Sequence, residues 1–449
     1  MGITIVQKSD LGQTEKRTKV ALVLAGGAIS GGAFKVGGLM ALDRFLGQRS
    51  VTNFDIYVGI SAGAFLAAPL AAGVPPIELL RAVNGRSKVI SPFRPSHFYW
   101  PNVEEFVGQP MQFLRDSVAF GPAVMKGVMR SAFYSRRSVL RNMRRTLMRP
   151  KEARWNEEVF EPIFAKPFSD PQFPLSLDYL PSGLFDNKRI ESYIRTNLER
   201  NGLPNHFRLL RLEHGASLYI GATNLENATF DVFGPDEDHS ITISQAVQAS
   251  TAIPVFFRPA QLHGRRYIDG AISKTASMSV AAAKGADLII AYNPFRPYVS
   301  RALKPGQDPK NIGDSSALTV LNQAFRTLLH TRLHLGVEKL RLDPEFKGDI
   351  ILIEPSASDE DFFQMNPLNF WARHVAASHG FRSVKESIES QYPLLKRILE
   401  AHGFNADLSA LQSTFDRIAA AEEEKQVYEA LEADARQRNA SAKPHLKVV

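Results

Sequence analysis

The sequence predicts an α/β fold in which a central sheet is covered by helices on both faces. Two observations lead to this prediction. Short apolar segments alternate with helical segments along most of the chain, and two of the apolar segments run directly into a glycine-rich turn that a helix follows. Strands buried on both faces of a sheet are continuously apolar rather than alternating, and these segments fit that description.

The predicted elements follow one another in a regular order. The first apolar segment, KVALVLAGG, begins at Lys19 and leads into a helical stretch, FKVGGLMALDRFL. A strand at residues 55–60 then leads into a helix at residues 62–72. Four more strands are predicted at residues 218–224, 265–269, 287–294 and 349–355, with helices at residues 276–284 and 316–340.

Composition narrows the chemistry that the chain can perform. The 449 residues are 44% hydrophobic and 22% charged, which is typical of a globular protein, and the net charge is +8. There is no cysteine, so disulfides, cysteine nucleophiles and thiolate metal sites are excluded. The first residues resemble no signal peptide, and no segment offers the ~20 apolar residues that span a bilayer. We therefore expect a cytoplasmic protein whose contact with a membrane is peripheral.

The segment GISAG, residues 59–63, predicts a nucleophile at a sharp turn. It lies between a strand and a helix, and Gly59 and Gly63 allow the backbone to bend so that Ser61 is presented at the corner. The amides at the start of the following helix point toward the same place and favour developing negative charge. The alternative is a glycine-lined turn that only packs a helix close to the sheet.

A second glycine-rich turn, LAGGAISGGAFKVGGL, covers residues 24–39. It lacks the spacing of a dinucleotide site and the Lys-Ser or Lys-Thr of a Walker loop, so phosphate binding is disfavoured. Its backbone amides could instead stabilise an oxyanion beside a nucleophile. The candidate residues of this loop are Gly26, Gly27, Ala28, Gly31 and Gly32. Close backbone packing without chemistry is the alternative.

A third motif, YIDG, places Asp269 at the end of a strand before a glycine turn. Together with the glycine loop and GISAG, it resembles the patatin-like phospholipases, over about residues 19–389. The resemblance implies a three-layer α/β/α fold with a mostly parallel sheet, and a serine acyl hydrolase that uses a Ser-Asp dyad. It implies that Ser61 is the nucleophile, that Asp269 is the base, and that the amides of residues 26–28 bind the oxyanion.

The glycine loop departs from the family pattern at two positions. Members commonly have three consecutive glycines, one further residue, and then Arg or Lys, whereas this sequence has Ala28 in the third place and Ser30 at the basic position. Lys35 could supply a positive charge, but its place in a helix favours a solvated face. Lys274, soon after YIDG, is assigned no role.

Two other functions remain open from the residues. One is an esterase with a Ser-His-acid triad, for which four histidines follow Asp269: His330, His334, His374 and His379. Their helical, partly apolar surroundings favour packing or surface roles. The other is a lipid-binding scaffold with little activity. No metal site is predicted, because the acidic loop at residues 235–239 lacks the spaced ligands of a calcium loop, and no cofactor is expected.

The domain prediction has three parts: an N-terminal tail (residues 1–18), a phospholipase domain (19–390) with a cap insertion (92–181), and a C-terminal helical extension with a polar tail (391–449). The aromatic-rich segment at residues 91–106 is expected to be a mobile part of the cap near the acyl pocket, with burial as ordinary core as the alternative. Residues 126–154 contain ten Lys and Arg and one Glu. The pattern predicts a basic amphipathic helix that contacts an anionic membrane, with these contact candidates: Arg137, Arg141, Arg144 and Arg145. No nucleic-acid module is visible, a lipid is the expected substrate, and the oligomeric state is left open.

Overall fold

The computed structural model describes residues 2–12, 18–47, 49–83, 85–102, 104–105, 181–299, 312–419 and 429. The chain divides into two compact units, one formed by residues 1–100 and 185–449 and the other by residues 101–184. In the second unit, the Asn102 backbone N–H donates to the Leu184 carbonyl and the Asn102 side chain donates to the Gly183 carbonyl, while the backbone N–H and the hydroxyl of Ser182 donate to the Glu105 carboxylate. Most of the predicted cap and its four arginines lie outside the described residues.

Eleven strands are found in the described residues. They are β1 (Ile3–Val6), β2 (Val20–Leu24), β3 (Ile56–Ile60), β4 (Gly183–Phe185), β5 (Ser217–Asn224), β6 (Phe230–Phe233), β7 (Val255–Phe257), β8 (Ala260–Leu262), β9 (Arg265–Asp269), β10 (Leu288–Tyr292) and β11 (Asp349–Ile353). The six predicted strands are therefore confirmed as β2, β3, β5, β9, β10 and β11.

The same described residues contain thirteen α-helices. They are α1 (Ala28–Phe45), α2 (Ala62–Ala71), α3 (Pro76–Val83), α4 (Pro95–Phe98), α5 (Lys188–Arg200), α6 (Phe207–His214), α7 (Ile243–Ser250), α8 (Met278–Ala283), α9 (Ala317–Leu342), α10 (Glu360–Gln364), α11 (Arg373–Ser390), α12 (Tyr392–Ala401) and α13 (Leu408–Ala419). Among these helices, none combines the length and the apolar composition that crossing a bilayer requires.

As far as the structure describes the chain, the main sheet has nine strands in the order β1-β11-β10-β2-β3-β5-β9-β8, with β6 also paired to β5. The five central strands, β11, β10, β2, β3 and β5, are parallel. The flanking strands are antiparallel to their neighbours. Because β2 pairs with β3 on one side and β10 on the other, the strand order reverses at β2. In α/β sheets the crevice at such a reversal is where ligands bind.

Helices cover both faces of the sheet, as the sequence predicts. Alternate residues of β2 point to opposite faces: Leu22 packs in a core with α1, α2 and α11, whereas Ala21 packs in a core with α8 and α9. Helices α1 and α11 approach closely, since a Cβ at Gly37 would lie 1.8 Å from the Ala377 carbonyl oxygen. Glycine at this position therefore allows the two helix backbones to touch.

Both ends of the predicted main domain need correction. Residues 3–6, predicted within a tail, form the edge strand β1, in which Ile3 and Val6 are buried and paired with β11. The predicted C-terminal extension is also part of the main fold up to residue 419, because Leu395, Ile398 and Leu411 lie in the same core as the sheet. Its polar end, apart from Glu429, lies outside the described residues.

Candidate active site

Ser61 occupies a strained turn between β3 and α2. Its backbone angles, φ 56° and ψ −128°, lie where residues other than glycine are rarely found. The two flanking glycines make the turn possible: a Cβ at Gly59 would lie 2.5 Å from the Ala64 Cα, and one at Gly63 would lie 2.0 Å from the Leu24 carbonyl oxygen. The predicted sharp turn is confirmed, and it presents the Ser61 hydroxyl at the carboxyl end of β3.

Asp269 lies beside Ser61, although 208 residues separate them in the sequence. It ends β9, which reaches this position because β9 pairs antiparallel with β5. Both side chains are buried, each with 3% exposure, and the Ser61 hydroxyl hydrogen-bonds to the Asp269 carboxylate. The other carboxylate contact is the Ala271 backbone N–H, which donates to Oδ1 at 2.8 Å. The structure therefore brings together the two residues that the motifs single out.

Burial sets the pKa of the Asp269 carboxyl. Removal from water raises it from 3.8 to about 6, while hydrogen bonds from Ser61 and Ala271 and the charge of Lys35 act in the opposite direction. A carboxylate with a pKa near 6 is a stronger base than an exposed aspartate, yet it is still mostly ionised at neutral pH. The pair thus has the proton affinity that a general base for Ser61 requires.

The segment at the end of α7 holds both residues of the pair. The Ser250 hydroxyl accepts from the Ser61 backbone N–H at 2.8 Å and donates to the Gly221 carbonyl at 2.6 Å. Two residues later, the Ala252 carbonyl accepts from the Asp269 backbone N–H at 2.9 Å. Ser250 is fully buried. Its role does not follow from the three motifs, although a serine among the small residues of QASTAIP is a signal of a buried hydrogen bond.

The glycine loop lies next to Ser61 at the end of β2. A Cβ at Gly26 would be 3.4 Å from the Ser61 Cβ, and Ala28 and Ser61 line the same cavity. Within the described part of the chain, no acceptor contacts the backbone N–H of Gly27 or Ala28. By contrast, the amides of Ile29 and Ser30 both donate to the Pro367 carbonyl. The amides of Gly27 and Ala28 are therefore available to a ligand.

The predicted loop is shorter than expected. Gly31 and Gly32 already lie within α1, and the Gly31 amide donates to the Gly27 carbonyl at 2.8 Å. The helix begins at Ala28 because Pro367 satisfies two amides of its first turn. Ala28 has φ 49°, the left-handed conformation that glycine adopts most readily. It thus keeps the backbone shape expected of the glycine that the family commonly has there.

The prediction of a solvated Lys35 is wrong. This side chain is fully buried, and its ammonium donates to the Gly26 carbonyl at 2.9 Å and to the Ala25 carbonyl. Burial lowers the pKa of Lys35 from 10.5 to about 7, and attraction by Asp269 partly opposes this change. A basic group is therefore present at the loop, but it comes from the second turn of α1 and not from position 30.

The four histidines considered for a triad are not in the cavity that contains Ser61. Among the described residues that line it, none is a histidine. His330 and His334 face Glu354, and His379 faces Asp359 and Asp361. Within the described part of the chain, the groups that act on Asp269 are Ser61, Ala271 and Lys35, and no imidazole is among them.

The cavity beside Ser61 is lined almost entirely by apolar side chains. Helices α1, α2, α3 and α5 contribute most of them, and Phe93 and Phe98 of the predicted aromatic segment line it as well. Phe93 packs against Phe65 and Tyr193 with ring centroids about 5 Å apart. An apolar cavity with Ser61 in its lining suits an acyl chain.

A comparison with known families decides the affiliation. The family description "Patatin-like phospholipase" matches residues 22–281, more than half of the chain and all three motifs. The chain belongs to this family. Patatin-like phospholipases are lipid hydrolases, which agrees with the apolar cavity. The matched residues stop before β10 and β11, which nevertheless belong to the same sheet.

Solved structures give weaker likenesses. VipD from Legionella pneumophila is 16% identical with a TM-score of 0.36, covering 100% of this chain and 84% of VipD. The second is full-length ExoU from Pseudomonas aeruginosa in complex with SpcU, at 14% identity and a TM-score of 0.26, covering 100% of this chain and 77% of the other. At these values neither likeness bears on the function of this patatin-like chain. No curated protein matches the sequence.

Proposed function

We propose that the protein hydrolyses carboxylic ester bonds of phospholipids or related glycerolipids through a Ser61–Asp269 dyad and an acyl-enzyme. The observation that carries the proposal is the buried hydrogen-bonded pair, whose serine lines an apolar cavity. Membership of the patatin-like phospholipase family supports a lipid as the substrate.

The first step is attack on the ester carbonyl. Asp269 accepts the proton of the Ser61 hydroxyl as its oxygen bonds to the carbonyl carbon, and the acyl chain occupies the apolar cavity. The negative charge that develops on the carbonyl oxygen is stabilised by the amides of Gly27 and Ala28 and by the N-terminus of α2. Collapse of this intermediate transfers the proton from Asp269 to the leaving alcohol. A water molecule, deprotonated by Asp269, then hydrolyses the acyl-enzyme and regenerates Ser61.

Lys35 acts in this scheme as a positioning residue. Its ammonium binds the Gly26 carbonyl, and in a planar trans peptide the carbonyl and the next N–H point in opposite directions. Anchoring the Gly26 carbonyl therefore fixes the Gly27 N–H so that it points away from Lys35. In the same way, Lys35 anchors the Ala25 carbonyl and thereby fixes the direction of the Gly26 N–H. A positive charge on Lys35 also lowers the pKa of Asp269, in addition to the hydrogen bonds from Ser61 and Ala271.

The dyad is favoured over a triad because of what surrounds Asp269. A triad requires an imidazole between the serine and the carboxylate, whereas here the hydroxyl contacts the carboxylate directly. An inactive scaffold is disfavoured by the strained backbone at Ser61, since such strain is retained where it serves chemistry.

The basic segment at residues 126–154 supports an anionic membrane as the place where the substrate is met. With ten basic residues and one acidic residue, the segment alone has a larger positive net charge than the whole chain, which has +8. The rest of the chain is therefore nearly neutral. Each basic group near an anionic leaflet contributes roughly 1 kcal/mol to binding. We infer peripheral association through Arg137, Arg141, Arg144 and Arg145.

Product analysis tests the proposed reaction. The purified chain is incubated with vesicles of one defined phospholipid, and free fatty acid and lysophospholipid are quantified by mass spectrometry. We expect both products from the parent protein and from the control Ser358→Ala, which removes an exposed hydroxyl. Ser61→Ala should reduce both by at least ~10³-fold. Equal release by Ser61→Ala and the parent would contradict the proposal.

A further inference from the structure

Two histidines and a glutamate lie close together at the carboxyl end of β11, the strand that pairs with β10 on the side opposite β2. His330 and His334 are four residues apart on α9, so they share one face of the helix. Glu354 directly follows β11. Its Oε2 lies 3.5 Å from His330 Nε2 and 3.1 Å from His334 Nε2. All three ligand atoms lie within 4.8 Å of one another, and we refer to these residues as the His-His-Glu cluster.

The glutamate is held so that one oxygen faces the histidines. Glu354 is 2% exposed, and its Oε1 accepts from the Asn293 side-chain amide at 2.8 Å. Asn293 directly follows the neighbouring strand β10, so two rigid strands set the position of the carboxylate. In most protein metal sites, a ligating side chain is oriented by a hydrogen bond from a neighbouring residue that does not touch the metal. Asn293 would have this role for Glu354.

The histidine side of the cluster is incompletely satisfied. His330 Nε2 is buried and has no well-aligned hydrogen bond within the described residues. A buried nitrogen that lacks a partner is costly. This nitrogen faces a carboxylate oxygen, so a positive charge between the two atoms would satisfy both. A cation coordinated by all three residues supplies that charge and uses the free lone pairs.

The geometry points to a Zn²⁺ site, or a site for a similar first-row divalent ion, formed by His330, His334 and Glu354. Zinc binds histidine nitrogen and carboxylate oxygen at about 2.0–2.2 Å, so tetrahedral ligand atoms are about 3.3 Å apart. The nitrogen to oxygen distances of 3.1 and 3.5 Å are close to this value. Both histidine side chains are partly exposed, at 24% and 34%, which gives the ion access and leaves a fourth position for water.

Such an ion would join α9 to the ends of two central strands. Between the two histidines, Arg332 on the same helix donates to the carbonyls of Ala271 and Ile272, directly after the Asp269 turn. Six residues earlier on α9, Arg326 donates to the carbonyls of Pro294 and Arg296. Helix α9 therefore holds loops beside the candidate active site through hydrogen bonds. A bound metal ion would fix the position of α9 relative to the strand ends. The site is proposed independently of the hydrolase activity, because binding is measured directly.

Metal titration of the full chain tests the site. The protein is first dialysed against a chelator and then titrated with Zn²⁺ by calorimetry, with Co²⁺ absorption in the visible range as a second reading. We expect one Zn²⁺ per chain and a Co²⁺ spectrum typical of four-coordination. His330→Ala and His334→Ala should each weaken binding by more than ~10-fold, the lower limit seen for loss of even an outer partner.

Matched variants keep the result interpretable. His214→Ala removes an exposed histidine at the end of α6 and should bind Zn²⁺ like the parent. Glu354→Gln keeps the size of the side chain and can still accept from Asn293, so it tests the ligand even if an alanine variant is unstable. Circular dichroism shows that each variant is folded. Absence of Zn²⁺ binding by the parent would overturn the proposal, and so would unchanged binding by folded Glu354→Gln or by the double variant lacking both histidines.

Discussion

Asp269→Asn should abolish catalysis while stabilising the folded protein at neutral pH. Burial raises the pKa of Asp269 from 3.8 to about 6 in the folded chain. The stability that this carboxyl contributes is present below its unfolded pKa and is lost as the pH rises through about 6. A pKa difference of this size corresponds to about 3 kcal/mol at pH 8. Asparagine never ionises, and its side-chain oxygen can still accept from the Ala271 N–H.

Urea unfolding of the parent and of Asp269→Asn at pH 4 and pH 8 measures this effect. At each pH, the free energy of unfolding of the parent is subtracted from that of Asp269→Asn. The difference is free of contributions from groups whose titration the substitution does not change. We expect the stability advantage of Asp269→Asn to be larger at pH 8 than at pH 4 by about 2–3 kcal/mol. Hydrolysis of a p-nitrophenyl ester should fall by at least ~10³-fold in the same variant. A stability difference that is equal at both pH values would refute the burial argument.

Three further predictions concern the groups around the dyad and the membrane. Ser250→Ala removes the acceptor of the Ser61 N–H, and an unsatisfied buried donor costs about 1–3 kcal/mol. If that cost falls on the reacting geometry, kcat should decrease ~5- to 150-fold with KM unchanged. A rise in KM alone would contradict a positioning role. Lys35→Met removes a charge that lowers the pKa of Asp269, so the acidic limb of the kcat/KM profile, expected near pH 6 in the parent, should move to higher pH, and an unmoved limb would argue against this coupling. Replacing Arg137, Arg141, Arg144 and Arg145 by Glu should abolish sedimentation with phosphatidylserine vesicles, whereas equal binding of the parent to neutral and anionic vesicles would rule out an electrostatic contact.

The sequence predicts the parts of the site that depend on local backbone geometry. GISAG and YIDG each lie at the end of a strand, so neighbouring residues are enough to place Ser61 and Asp269 at turns. The sheet was predictable for the same reason, because its central strands are continuous apolar segments. Strand β1 was missed, since four residues near the start of a chain give little signal until β11 pairs with them.

Residues whose role depends on tertiary packing were not predictable in the same way. Lys35 is buried because α1 packs between the sheet and α11, and only its apolar and glycine neighbours on all sides of the helix indicated this. Ser250 contacts Ser61 across 189 residues. The pairing of His330 and His334 with Glu354 likewise requires α9 to lie against the ends of β10 and β11, which neither helix nor strand specifies alone.

Covalent labelling shows whether Ser61 is the nucleophile. The chain is treated with a fluorophosphonate, digested, and analysed by mass spectrometry to locate the modified residue. We predict a single adduct on the peptide that contains Ser61, no adduct in Ser61→Ala, slow labelling in Asp269→Asn, and normal labelling in His330→Ala and His334→Ala. Labelling of a different residue, or a histidine variant that blocks labelling while Asp269→Asn does not, would contradict the dyad.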